Sequence, residues 1–351
     1  MKNKILWIYT KKSSFVEKDI QLLSDVYDVD EFSFNNTTGI KLLLSAVKQF
    51  LYLLIKNKKY KSYVCQFGGY QSILPAIFGK VFRIPFLIIT GGTDCVSFPA
   101  LNYGNFRKQP LKSITSLSYQ LCSHISPVDE SLIFQNYTYD TQFTNQGIKY
   151  FLPNLKTPLT VIYNGYSKEK WHAISEKKIY SFITVSAGYN QINIYRKGID
   201  LIYEVAEYFP ECTFTIIGIP NDFNLFPKKD NIITIPFTAN NELITYYSKS
   251  EFYLQLSIIE GFPNALCEAM LCECIPIVSN VAAMPKIITN SGFILAKRDV
   301  TLLKNTIQQA IQCDKSVLSK LARKRIADNY TEEIRKNKLT ELINTMIQEK
   351  N

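Results

Sequence analysis

Short apolar runs alternate along the chain with longer stretches in which apolar residues recur every three to four positions. Residues 5–9, 26–34, 63–67, 86–90 and 124–126 read as strands, and a second series follows at residues 180–188, 213–218, 232–236, 252–256 and 275–279. Strands separated by helix-length segments predict mostly parallel sheets with crossover helices, so the fold class is α/β with Rossmann-like domains. Residues 330–350 carry Ile334, Leu339, Leu342, Ile343, Met346 and Ile347 at helical spacing and predict a final amphipathic helix with no strand after it. Residues 42–55 are a further helix candidate, preceded by Lys41 and followed by Lys56, Lys58, Lys59 and Lys61. This segment is too short to span a bilayer; it reads as a largely buried helix with a lysine-rich end, and the alternative is an interfacial helix whose lysines meet anionic headgroups.

Composition bounds the picture without changing it. A chain of 351 residues, 46% hydrophobic and 20% charged, can bury two domain cores. The eight cysteines fall mostly in apolar runs without a Cys-x-x-Cys pair, which predicts buried free thiols in a reducing compartment rather than disulfides or zinc. With His124 and His172 as the only histidines, a histidine-built metal site or a Ser-His-Asp relay lacks parts, and no metal or cofactor is expected. His124 is expected as a hydrogen-bonded strand residue, with an acceptor-site role as the alternative. The first apolar run breaks early and has no small-residue cleavage site, so a cytoplasmic location is expected.

Charge does change the picture. Residues 1–170 hold 20 Lys+Arg against 11 Asp+Glu, so +9 of the formal +10 lies in the first half, and 18 of those 20 cations are lysine. Such a balance favours an anionic partner, and the scarcity of arginine places a membrane surface or a phosphate-bearing substrate ahead of nucleic acid. No nucleic-acid partner is expected. The first strand leads into Thr10-Lys11-Lys12-Ser13-Ser14 instead of a glycine-rich loop, which argues against a nicotinamide dinucleotide.

The candidate chemistry centres on Glu260-Gly261-Phe262-Pro263-Asn264, a strand end, a tight turn at Gly261 and a helix opening at Pro263, with Glu268 farther along that helix. Free N–H groups at such a helix start are a ready site for phosphate. Two glutamates seven residues apart, with Gly-Phe-Pro after the first, Ala-Met after the second, and the next strand at residues 275–279, resemble the signature of retaining glycosyltransferases of family 4, the glycosyl transferases group 1. The segment Arg196-Lys197-Gly198-Ile199-Asp200-Leu201 resembles the family's donor-diphosphate segment, and Asn164-Gly165 resembles its interdomain junction, although Asn-Gly is also an ordinary turn.

The resemblance implies a GT-B fold, two Rossmann-like domains facing across a cleft. It divides the chain into an acceptor-binding domain over residues 1–165, a nucleotide-sugar donor domain over 166–329, and a helix over 330–351 packing back toward the first domain. It implies a bacterial polysaccharide or glycolipid biosynthesis enzyme that moves a hexose, with retention and without metal, from a nucleotide-diphosphate sugar to a glycan or lipid-linked acceptor, in peripheral contact with an anionic membrane. On this carry-over Glu260 sits at the donor sugar, Glu268 holds the ribose hydroxyls and Lys197 meets the diphosphate. Gly261, Phe262, Pro263 and Asn264 line the same site, Gly188 lies at the preceding strand end, and Phe237 lies where the base is lined. The family's arginine after that glycine is absent, Tyr189 and Asn190 standing there, and Arg196 is the candidate substitute. Asp94, in Gly91-Gly92-Thr93-Asp94, either contacts an acceptor hydroxyl or caps its own turn. For Arg196-Lys197 the structural alternative is an exposed pair at a helix start, where cations are slightly unfavourable. Paired carboxylates also suggest a glycoside hydrolase, and a non-catalytic nucleotide-sugar-binding subunit is the competing class.

Overall fold

The computed structural model describes residues 2–35, 39–186, 188, 190–220 and 223–349; Ala187, Tyr189 and Lys350, which fall in segments read above, lie outside the described residues. The chain forms two compact units, one of residues 1–135, 145–163 and 332–351, the other of residues 136–144 and 164–331.

In the first unit, strands β1 (Lys4–Tyr9), β2 (Asp28–Ser33), β3 (Ser62–Gln66), β4 (Phe86–Thr90) and β5 (His124–Pro127) form a parallel sheet in the order β2-β1-β3-β4-β5. Its connections include α1 (Ser14–Ser24), α2 (Ile40–Lys56), α3 (Tyr70–Phe82), α4 (Leu111–Leu121) and the short α5 (Ile148–Phe151). The inner strands β3 and β4 are buried at every residue, as a parallel sheet covered on both faces requires, whereas edge strand β2 buries only Phe32. Residues 158–162, which precede the Asn164-Gly165 junction, give a single bridge from Leu159 to Ile125 and backbone hydrogen bonds along β5, including Thr160 N–H to the Ile125 carbonyl at 3.0 Å. His124 shares a 2.8 Å hydrogen bond with Thr160 there, and burial lowers its pKa.

In the second unit, β6 (Lys178–Val185), β7 (Thr213–Ile217), β8 (Ile232–Ile235), β9 (Ser250–Gln255), β10 (Ile275–Ser279) and β11 (Phe293–Leu295) run parallel in the order β11-β10-β9-β6-β7-β8. They are connected through α6 (Gln191–Lys197), α7 (Ile199–Val205), α8 (Leu243–Lys249), α9 (Asn264–Leu271) and α10 (Met284–Ile288), and α11 (Val300–Gln312) and α12 (Lys315–Asn329) follow the last strand. Phe182 at the centre of β6 stacks on Phe214 of β7 and Phe252 of β9, with ring centroids 5.0 and 4.7 Å apart. The final helix α13 (Glu332–Gln348) belongs to the first unit. All eight cysteines are free thiols, seven buried and Cys313 half-buried.

Helix α2 departs from the expectation of a largely buried helix. Gln49 and Leu53 are its buried residues, Gln49 donating to the Gln71 carbonyl at 2.9 Å, while Ile40 is 75% exposed and Ile55 is 77% exposed. Its apolar residues cover more of the helix than the narrow stripe that packs inward, so the remainder faces out.

Candidate active site

The site forms beyond the C-terminal ends of the second unit's central strands. At the end of β9, the Gln255 amide donates to Ser257 Oγ at 2.8 Å and to Glu260 Oε1 at 2.9 Å, and Gln255 itself accepts from the Tyr253 hydroxyl at 3.0 Å. From β10, Ser279 Oγ donates to the Ser257 carbonyl at 2.6 Å. These bonds fix the segment that carries Glu260. Lys197 Nζ donates to Glu260 Oε1 at 2.5 Å, and the two side chains keep 15% and 14% exposure, open to a ligand yet largely withdrawn from water.

Burial alone would raise the Glu260 carboxyl, but the Lys197 ammonium, hydrogen bonds from Lys197 and Ser257, and the charge of Arg196 outweigh it and hold the carboxyl below its usual range. Glu260 is therefore a carboxylate at neutral pH. Tyr253, buried beneath, has its phenol pushed up first by burial and then by the charges of both Glu260 and Glu268.

Lys197 reaches this position because α6 ends against the end of β9. Asn190 caps the helix by accepting from Asn193 N–H at 2.9 Å, and Gly198 closes it with φ +70°, after which α7 begins. A Cβ on Gly198 would stand 2.4 Å from the Leu256 carbonyl oxygen, so only glycine allows this approach. Ile258 N–H donates to the Arg196 carbonyl at 2.8 Å and completes the junction. Arg196 and Lys197 thus occupy the last turn of a helix, not a helix start as read above, and there cations are favourable. Arg196 donates to Asn193 Oδ1 at 3.0 Å, and Asn193 Nδ2 lies 2.8 Å from where a Cβ on Gly188, at φ +108°, would fall. Gly188, Asn193 and Arg196 form one continuous patch beside Glu260.

Helix α9 starts one residue later than expected, with Pro263 as N-cap at φ −73° and ψ 108°. Gly261 and Phe262 are buried; Phe262 stacks on Tyr166 with centroids 6.3 Å apart and meets Tyr330 edge-on at 5.2 Å, so it anchors the turn. Asn264 Oδ1 accepts from the Tyr166 hydroxyl at 2.7 Å and from Asn164 Nδ2 at 3.3 Å. Glu268 is 8% exposed and therefore no solvated surface charge; Asn240 Nδ2 lies 3.3 Å from its Oε1. Phe237, after β8, is 85% exposed and offers its ring to solvent.

Asp94 belongs to the first unit and is fully buried. It accepts from the N–H groups of Gly68, Gly91 and Gly92 at 2.8, 3.2 and 3.3 Å and from the Tyr119 hydroxyl at 2.9 Å. Burial raises its pKa against these bonds. The bonds from Gly91 and Gly92 fit the turn cap, and the bond from Gly68 ties in the loop after β3. Asp94 also lines a cavity of about 390 Å³, together with Gly69, Gln71, Asn105, Arg107 and Lys108.

Asn240 and Tyr166 escaped the sequence reading because nothing in local spacing links residues that meet across 28 and 98 positions, and Gln255 and Ser257 escaped it as ordinary polar residues at a strand end. Among the described residues, no group of three or more His, Cys, Asp or Glu is placed to hold a metal ion.

A sequence profile described as Glycosyl transferases group 1 matches residues 169–331. The match covers 163 of the 351 residues, so the likeness to the glycosyl transferases group 1 is one of this segment. The whole chain has the GT-B fold of glycosyltransferases. It is similar to a sucrose-phosphate synthase from Thermosynechococcus elongatus, with TM-score 0.72 and 13% identity over 99% of this chain and 100% of that one. It is also similar to Anabaena Alr3699/HepE in complex with UDP and glucose, with TM-score 0.67 and 14% identity over 98% and 100% of the chains. A third similar structure is the catalytic domain of starch synthase IV from Arabidopsis thaliana bound to ADP and acarbose, with TM-score 0.72 and 11% identity over 99% and 100%. No curated protein sequence matches the chain. The group 1 segment contains Glu260, Glu268, Lys197 and Arg196, so the charged cluster described above lies wholly within the matched residues.

Proposed function

We propose that this protein is a glycosyltransferase that moves a hexose, with retention of anomeric configuration and without a metal ion, from a nucleoside-diphosphate sugar to a glycan or lipid-linked acceptor. The observation that carries the reading is the Lys197–Glu260 pair, held at 2.5 Å beside Arg196 at the sheet edge. An ammonium has three N–H donors, and Lys197 commits one to Glu260, leaving others for diphosphate oxygens. As the bond from sugar to diphosphate breaks, negative charge grows on the leaving group; fixed cations and the N-terminal N–H groups of α9 stabilise that charge without reorganising.

On this reading Glu260, ionised at neutral pH, accepts from the donor sugar near the reacting carbon. Glu268 accepts from the ribose hydroxyls, Gly188 leaves room for the backbone to approach the donor, and Phe237 lines the base. HepE is described with UDP and starch synthase IV with ADP, which supports a nucleoside diphosphate as the common product. The 390 Å³ cavity of the first unit, with Arg107 and Lys108 in its lining, is the proposed acceptor pocket. Eight free thiols are in keeping with work in a reducing, cytoplasmic compartment.

The test incubates purified protein with UDP-, GDP- and ADP-sugars, scoring release of nucleoside diphosphate, thermal shift and product anomer. Turnover by one donor with a retained anomer, undiminished by chelator, is expected. Lys197→Ala should lower kcat more than it raises donor KM, and Glu268→Ala should cost roughly 2–4 kcal/mol of transition-state binding. A thermal shift without turnover would assign a nucleotide-sugar-binding subunit instead, and activity abolished by chelator would remove the metal-free step.

A further inference from the structure

We propose that α2, together with α3, seats the protein on an anionic phospholipid surface, with the apolar row of α2 lying flat at the boundary between headgroups and acyl chains. Ile40, Leu44, Val47, Leu51, Leu54 and Ile55 are all exposed, and their three-to-four spacing puts them along one side of the 17-residue helix. Helix α3 packs on α2, Phe50 meeting Phe78 edge-on at 5.7 Å, and adds exposed Ile77, Val81 and Phe82. Apolar surface of this extent on two neighbouring helices marks an interaction site. No helix among the described residues is long and apolar enough to cross a membrane, so a helix of this kind lies on the bilayer, not through it.

The charge around the row selects the occupant. Between Glu31 and Asp94 the sequence contains no acidic residue and eight cations: Lys41, Lys48, Lys56, Lys58, Lys59, Lys61, Lys80 and Arg83. Lys58, Lys59 and Lys61 are exposed just past the end of α2, and the Lys56 ammonium lies over the Tyr52 ring, 4.9 Å from its centre. Long basic side chains that follow an apolar row rest their stems on it and reach phosphate headgroups. A second copy of the chain would bring like charge against like charge around the same row, which opposes self-association. A bilayer carrying anionic lipid satisfies both the apolar row and its basic rim.

The experiment is co-sedimentation with vesicles of phosphatidylcholine alone and of equal phosphatidylcholine and phosphatidylglycerol, across a salt series. Three proteins are compared: wild type, Leu44→Ser/Leu51→Ser, and Lys58→Gln/Lys59→Gln/Lys61→Gln. Wild type should partition at least about tenfold more strongly onto the anionic vesicles, and the lysine variant should lose about 100-fold at low salt, since each lysine near such a surface contributes about 1 kcal/mol. The serine variant should lose binding at low and high salt, while the lysine effect fades as salt screens it. Every altered side chain is exposed, so melting temperatures should match wild type. Lys197→Ala should bind vesicles like wild type, so the result is independent of the donor-site reading. Wild type left in the supernatant with both vesicles, equal binding to both, or two variants that pellet like wild type would overturn the proposal. So would a wild-type dimer in light scattering that Leu44→Ser/Leu51→Ser dissociates, which would assign the face to a second copy.

Discussion

At the scale of single residues, the candidate site is decided by which charges are held together and what holds them. Glu260 keeps a lowered pKa because the stabilisation from Lys197, Ser257 and Arg196 exceeds the cost of burial. The sign of the pH dependence follows. A carboxyl with a depressed folded pKa contributes stability that is complete above its unfolded value of 4.5 and is lost as pH falls through the lower folded value. Glu260→Gln removes the charge but keeps the shape, so near neutral pH it should cost about 1–3 kcal/mol by leaving Lys197 unpaired. In urea unfolding at a series of pH values, the gap between wild type and Glu260→Gln should be constant above about pH 5.5 and close progressively below 4.5. A constant gap across that window would mean that the pair adds nothing as an ion pair. The two glutamates were legible in the sequence because their spacing within a strand-turn-helix context is distinctive. Gln255, Ser257 and Asn240 are ordinary polar residues whose role exists only once the strand ends and loops converge.

At the scale of elements, one glycine and one glutamate show how the backbone sets the site. Gly198 at φ +70° lets α6 end within contact of β9 and so brings Lys197 to Glu260. Gly198→Ala combines a left-handed conformation with a methyl group 2.4 Å from a carbonyl oxygen, and should cost at least about 2 kcal/mol in urea unfolding. It should also depress donor turnover, since the junction must move. The opposite case stands at the turn from α9 to β10, where Glu273 adopts φ +63° in a position suited to glycine. Glu273→Gly should therefore stabilise by about 1 kcal/mol, and a loss of stability would show that the carboxylate makes up for its strain. The motif at residues 196–201 was readable without its geometry, because α6 is short and preceded by no periodic apolar pattern. A seven-residue helix gives too few turns to display a period. Helix α2 shows the converse: its apolar content was plain, but which side faces the core depends on α3 and the sheet.

At the scale of the whole molecule, the chain returns from the second unit to the first through α13. Arg335, 2% exposed, donates to both carboxylate oxygens of Asp19 on α1 at 2.6 Å and to the carbonyls of Ile162 and Tyr163 at 3.0 and 2.8 Å. Leu339, Ile343, Met346 and Ile347 are buried along the same helix. Cutting one side of a buried ion pair leaves the other charge uncompensated, so Asp19→Ala should destabilise by about 3–5 kcal/mol. The double variant Asp19→Leu/Arg335→Met, with no charge left to strand, should recover much of that loss in thermal melting. A double variant as unstable as the single one would locate the stabilisation in the hydrogen bonds to Ile162 and Tyr163.

The sequence by itself determined the two parallel sheets, because unbroken apolar runs between helix-length segments have few other ways to be buried. It also singled out Glu260, Glu268 and Lys197, the charged residues of the candidate site, since their spacing around a predicted strand end and helix is distinctive. Only tertiary structure decided that Asp94 is buried, that Arg196 and Lys197 end a helix, that Arg335 finds Asp19 from 316 positions away, and that α2 turns its leucines outward. The physical reason is range. Burial pattern and turn chemistry act over a few residues and are written in local order, whereas ion pairing, desolvation and the choice of exposed face depend on neighbours that only the folded chain supplies.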